Sequence, residues 1–78
     1  MREKRLYLVI TFHTTSAAMA MESLCAEKGL PGRLIPVPRE ITAGCGMAFR
    51  AEVEQEQSLL EAAGAADIQV DGVHKLVI

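Results

Sequence analysis

The sequence predicts an α+β fold of four strands and two helices, in a single domain over residues 1–78. A chain of 78 residues has room for one small hydrophobic core. Its apolar runs have the length of strands, and none approaches the roughly 20 residues that a membrane span needs. Between these runs, two segments repeat apolar residues at steps of three and four, as amphipathic helices do. Strands and helices therefore alternate along the chain.

The first strand leads directly into the first helix. Residues 6–12 are apolar at both parities, which is typical of a central strand that is covered on both faces. An apolar stripe over residues 16–28 predicts a helix that is capped by one of the hydroxyl side chains at positions 14–16 and ended by Gly29.

The second half of the chain repeats this alternation. Residues 33–37 form a second strand whose proline favours an edge position, and residues 47–53 alternate apolar and charged side chains as a third strand. A second helix begins near Glu54, with Gly64 just past its end. Residues 73–78 form the last strand, and the preceding Asp-Gly dipeptide predicts a brief hairpin before it.

The order βαββαβ is that of a ferredoxin-like fold, a four-stranded antiparallel sheet with two helices on one face. In that topology the first and third strands are antiparallel central neighbours. Residues 13–16 should therefore approach residues 44–46. The open face is expected to expose apolar residues of the first strand, which favours a homodimer.

Charge and cysteine content exclude several classes of protein. Eight basic residues stand against ten acidic ones, for a formal net charge of −2, so binding to nucleic acid is not expected. The two cysteines are too few for the disulfide framework of a small secreted domain, and their spacing matches no zinc motif. We therefore expect a cytoplasmic protein with no metal, no cofactor and no membrane segment.

The two cysteines have different surroundings. Cys25 lies on the apolar stripe of the first helix, which predicts a buried packing residue. Cys45 lies between Gly44 and Gly46 in a loop that enters a central strand, so the backbone is free to turn and expose the sulfur. Cys45 is the candidate reactive thiol, although a plain glycine-flanked turn with an incidental cysteine is an open alternative.

A reactive thiol needs stabilisation of its thiolate, because unperturbed cysteine has a pKa of about 8.5. Inward-facing backbone amides of residues 43–47, the N-terminus of the first helix at Thr14 and the positive charge of Arg39 are candidates for this role. His13, at the end of the first strand, is a candidate proton partner. The predicted site is thus Cys45 with His13, and with Arg39, Gly44, Gly46 and Thr14 around it.

Three segments resemble the selenium/sulfur carrier protein-like family: residues 7–15, residues 33–41 with their Pro-Val-Pro-Arg-Glu-Ile run, and residues 45–50, which begin Cys-Gly. The resemblance implies a small cytosolic protein that accepts sulfur or selenium on Cys45 as a persulfide or perselenide. It also implies a donor protein of the cysteine desulfurase type and an acceptor protein. The resemblance therefore favours a carrier protein with a reactive cysteine over an enzyme.

Two other functions are compatible with the sequence. The open sheet face is a candidate surface for a non-catalytic protein interaction module, with Cys45 incidental. Alternatively, Cys45 is a thiol redox sensor that forms a sulfenic acid or an intermolecular disulfide.

Overall fold

The computed structural model describes residues 5–41 and 46–78. Its regular elements are β1 (Leu6–Thr11), α1 (Thr15–Lys28), β2 (Arg33–Pro36), β3 (Met47–Glu52), α2 (Glu56–Ala65) and β4 (Gly72–Val77), with one 3-10 turn (Val53–Gln55) before α2. The predicted α+β class and the order of elements are confirmed.

One four-stranded sheet has the order β2-β3-β1-β4, and every neighbouring pair is antiparallel. β1 and β3 are therefore the central strands and β2 lies at an edge, both as predicted. Thr11 pairs with Ala48 at the end of β1. His13 lies two residues beyond the end of β1 and Gly46 one residue before β3, so both lie at the same end of this strand pair.

The ends of α1 follow the local signals in the sequence. The Thr14 side-chain oxygen accepts a hydrogen bond from the Ala17 amide at 3.1 Å, which satisfies one of the unpaired amides of the first turn. Gly29 ends the helix in the left-handed region, with φ +73°, and its amide donates to the Cys25 carbonyl.

The second helix ends differently from the prediction. Gly64 lies inside α2, which continues to Ala65. The chain leaves the helix through Asp67 at φ +60°, and the Ile68 amide donates to the Ala63 carbonyl at 2.9 Å. Aspartate adopts the left-handed conformation more readily than most residues with a side chain, so it ends this helix in place of the glycine.

The core lies between both helices and one face of the sheet. A single cluster joins alternate residues of the central strands to residues of α1 and α2; its large members are Leu8, Ile10, Phe12, Met21, Phe49 and Leu59. Alternation along a strand sends successive side chains to opposite faces. This cluster therefore puts α1 and α2 on the same face.

The opposite face of the sheet does not expose the apolar residues of β1 that the sequence predicted. Val9 and Thr11 point to that face, and both are fully buried. The register places Arg50 and His74 on either side of Val9, and long side chains on neighbouring strands cover an aliphatic residue between them. The argument for a homodimer from an exposed apolar face of β1 is thus wrong, and the homodimer itself stays a prediction.

Candidate functional site

A backbone hydrogen bond joins the residues on either side of the segment that carries Cys45. The Val37 amide donates to the Gly46 carbonyl at 3.1 Å, which continues the β2–β3 pairing by one more pair. Within the described part of this segment, the Ile41 amide donates to the Pro38 carbonyl at 3.0 Å, forming a turn. Cys45 and Gly44 lie outside the described residues, so their predicted roles stay predictions.

Gly46 is the described neighbour of Cys45 and has φ +75°. A side chain is disfavoured by this backbone conformation, even though a Cβ there would meet no atom within 4 Å. Glycine at this position is therefore explained by backbone geometry. The predicted exposure of Cys45 by its flanking glycines stays a prediction.

His13 has a carboxylate partner that the sequence analysis missed. Its Nε2 lies 3.4 Å from Oδ1 of Asp71, and the imidazole is 63% exposed. A neutral imidazole has one donor and one acceptor nitrogen, and a carboxylate partner fixes which nitrogen carries the proton. His13 is thus positioned by residues at the start of β4.

Asp71 is itself held against the end of β1. Its amide donates to the Thr11 carbonyl at 2.8 Å, and the fully buried Thr11 hydroxyl donates to its Oδ2 at 3.4 Å. The Asp-Gly dipeptide that predicted a hairpin instead opens β4 beside β1, and residues 68–71 form no strand. The predicted hairpin before the last strand is therefore wrong.

The other two predicted site residues are only partly explained. The Thr14 hydroxyl is engaged by the Ala17 amide as the helix cap, which accounts for this residue without a ligand. Arg39 is exposed in the turn after Pro38. Among the described residues, its guanidinium has no ion-pair partner.

Cys25 is a packing residue, as predicted. It is 2% exposed, and desolvation by burial raises the pKa of its thiol above that of free cysteine. Burial in an apolar environment disfavours the thiolate and makes a cysteine inert. Cys25 is therefore a poor competitor for any reagent or donor that reacts with a thiolate.

Alkylation tests this assignment in a Cys45→Ser variant, whose only thiol is Cys25. We expect iodoacetamide to react with the folded variant at least about 100-fold more slowly than with the urea-unfolded chain, because reaction needs local opening. Equal rates in the two states would contradict burial.

The raised pKa also means that the folded state keeps the Cys25 proton to higher pH, so the contribution of the buried thiol to stability is lost as pH rises from the pKa of the unfolded thiol through that of the folded one. A Cys25→Ala control should lack that alkaline loss in urea unfolding.

Neither a metal site nor a membrane-spanning helix is found among the described residues. Among the described residues, no group of three or more His, Cys, Asp and Glu side chains is arranged to hold a metal ion. No helix within residues 5–41 and 46–78 has the length and apolar character needed to cross a membrane.

Comparison with known protein families places this chain beside one that is named for a carrier role. A family model described as "Putative Se/S carrier protein-like" matches residues 7–75, nearly the whole chain. No curated protein and no solved structure matches.

Proposed function

The chain belongs to the Se/S carrier protein-like family, and from that premise we propose that it carries sulfur or selenium on Cys45 and passes it to a partner protein. The observation that carries the proposal is the family match, which covers both Cys45 and β3, the strand that follows it. The chain has only two cysteines, and the other one, Cys25, is buried. Cys45 is therefore the acceptor that we assign.

The neighbours of Cys45 support this role. Gly46 has a left-handed backbone, and a Cβ there would meet no atom within 4 Å; the Val37–Gly46 hydrogen bond joins Gly46 to the end of β2. A loop on a rigid scaffold is a common location for a reactive group, because the scaffold fixes its position while the loop keeps it accessible. Cys45 is covalently bonded to Gly46, which directly precedes β3.

His13 and Arg39 have supporting roles in the proposal. His13 and Gly46 lie at the same end of the β1–β3 pair, and Asp71 is the carboxylate partner of the imidazole. A positive or proton-donating group beside a cysteine stabilises its thiolate. We assign His13 as the proton partner and Arg39 as electrostatic support, with Gly44 as part of the bend.

The transfer step exchanges one disulfide-type bond for another. The Cys45 thiolate attacks the terminal sulfur of a donor persulfide, the donor S–S bond breaks, and the donor cysteine leaves as a thiolate. The proton of the terminal sulfur stays with it, so Cys45 becomes a persulfide without net oxidation. Attack by an acceptor nucleophile on that terminal sulfur regenerates the Cys45 thiolate. Transfer of selenium takes place in the same way, with a donor perselenide whose terminal atom is selenium.

The proposal has three further parts. The donor is a protein of the cysteine desulfurase type, and the exchange takes place in the cytoplasm. The scaffold is ferredoxin-like, which the βαββαβ order and the antiparallel sheet support. A homodimer is not needed for the chemistry, since one thiol accepts the atom.

Loading by a donor tests the proposal. After incubation with a cysteine desulfurase and cysteine, we expect intact-mass spectrometry to show one added sulfur atom on the wild-type chain. Cys45→Ser should lose this adduct because it lacks the nucleophile. The matched control Cys25→Ala should keep it, since alanine replaces a buried thiol without burying a hydroxyl.

The pH dependence of alkylation gives an independent measurement. In Cys25→Ala, whose only thiol is Cys45, the pH midpoint of the iodoacetamide reaction rate should lie below the pKa of about 8.5 for free cysteine.

In the loading experiment, no sulfur uptake by the wild-type chain, or uptake that persists in Cys45→Ser, would overturn the proposal. Loss of the Cys45 thiol with peroxide but not with the donor would favour a redox sensor instead.

A further inference from the structure

A second polar site lies at the far end of β3 from Cys45. A cavity of about 230 Å³ there is lined by Tyr7, Gly32, Arg33, Arg50 and Glu52, among others. Arg50 is four residues along the chain from Gly46, or roughly 13 Å at about 3.3 Å per strand residue. The cavity is therefore separate from the proposed carrier site.

Two arginines face each other across this cavity without a counter-charge. Arg33 and Arg50 are directly opposite each other in the β2–β3 register, and like charges in such a pair destabilise a sheet. Among the described residues, neither guanidinium has a carboxylate within ion-pair distance.

The acidic residue of the cavity is already engaged. Glu52 pairs with Arg5, so it does not offset the charge of the other two arginines. The four side chains Arg5, Arg33, Arg50 and Glu52 sum to a charge of +2, in a chain whose net charge is −2. Such a local reversal of sign attracts anions to this end of the sheet.

Tyr7 holds one of the guanidinium groups in place. The Arg50 guanidinium carbon lies 4.5 Å from the centre of the Tyr7 ring, and that of Arg5 lies 5.1 Å from it. A guanidinium over an aromatic face gains cation–π energy and keeps the N–H groups at its edge available. Arg50 is thus a donor whose position is set before any ligand arrives.

We propose that this cavity binds an oxyanion, a carboxylate or a phosphate group, between Arg33 and Arg50. Guanidinium groups bind such anions through paired N–H···O bonds. A bound oxyanion would also remove the repulsion between the two arginines. A cavity of about 230 Å³ suits a single anionic group or a small molecule rather than a nucleotide.

Nuclear magnetic resonance titration of the 15N-labelled full chain tests the proposal. The probes are inorganic phosphate, acetate and a short acetylated glutamate peptide, with sodium chloride at equal ionic strength as the screening control. We expect saturable shifts of the Gly32 amide and the Arg50 Nε–H with at least one oxyanion, at concentrations on the order of 1 mM, and none with chloride. If the peptide binds more tightly than acetate, the source of the anion is an acidic protein segment. If the peptide binds equally or more weakly, the source is a free small anion.

Two matched variants remove one positive charge each. Arg33→Gln should weaken oxyanion binding about tenfold because one charge-assisted pair is lost. It should not lower the free energy of unfolding, since it also removes a like-charge contact. Lys28→Gln, at the exposed end of α1, should leave binding unchanged. Shifts that chloride reproduces, shifts that Arg33→Gln leaves intact, or no saturable shift at all would each overturn the proposal.

Discussion

Replacing Gly32 by alanine is expected to lower the free energy of unfolding by about 3 kcal/mol. The backbone at Gly32 has φ +147°, a conformation that is essentially confined to glycine. A Cβ there would overlap the Phe49 ring and lie 2.9 Å from the Arg50 carbonyl oxygen. Phe49 is fully buried, so the ring has little room to move away. A domain of this size has a total stability of only about 4–12 kcal/mol, and urea unfolding should show the loss clearly.

Gly29→Ala is the matched control for this substitution. Gly29 also has a positive φ, at +73°, but a Cβ there would meet no atom within 4 Å. Only the cost of the left-handed backbone then applies, about 1 kcal/mol. Equal losses for the two variants would show that the contact with Phe49 has no energetic role.

Leu59→Ala is expected to cost about 3 kcal/mol, and up to about 5 if the cavity does not collapse. The buried residues of α2 are Leu59, Ala62 and Ala63, so Leu59 is the one large side chain with which this helix enters the core. Removing it leaves a helix of ten residues that is attached mainly through alanines. Short helices depend on such tertiary packing rather than on their own propensity.

The adjacent Leu60 provides the control. It is half-buried and packs at the margin of the same core, so Leu60→Ala removes the same atoms at less cost, about 1 kcal/mol. Urea unfolding of both variants gives the comparison directly. If Leu60→Ala were the more damaging of the two, the assignment of the buried face of α2 would be wrong.

Residues close to the end of a helix or strand predicted where that element begins or ends, in most cases correctly. The capping hydroxyl at Thr14 and the left-handed Gly29 bound α1 as expected, because both act within one turn of the helix. The proline of β2 indicated an edge for the equally local reason that it lacks an amide hydrogen. At the end of α2 the same logic failed, since glycine is tolerated inside a helix and Asp67 supplied the left-handed turn.

Side-chain contacts between distant parts of the chain were not accessible from the sequence, although the pairing of β1 with β3 was. Val9 is fully buried between Arg50 and His74, which only the register brings to its sides. The contact between His13 and Asp71 likewise requires β4 to lie beside β1. For the carrier site, residue type and position in the loop singled out Cys45, whereas the partner of His13 came only from the fold.

Pro36 bears on how this sheet meets other chains. Because the Val37 amide points inward to β3, alternation turns the nitrogens of Pro36 and Leu34 toward the outer edge of β2. Proline has no hydrogen to donate, so Leu34 supplies the one outward donor of this four-residue strand. The β2 edge is thereby protected against strand addition and amyloid-like stacking, and any intermolecular growth of the sheet would have to proceed from the six-residue β4.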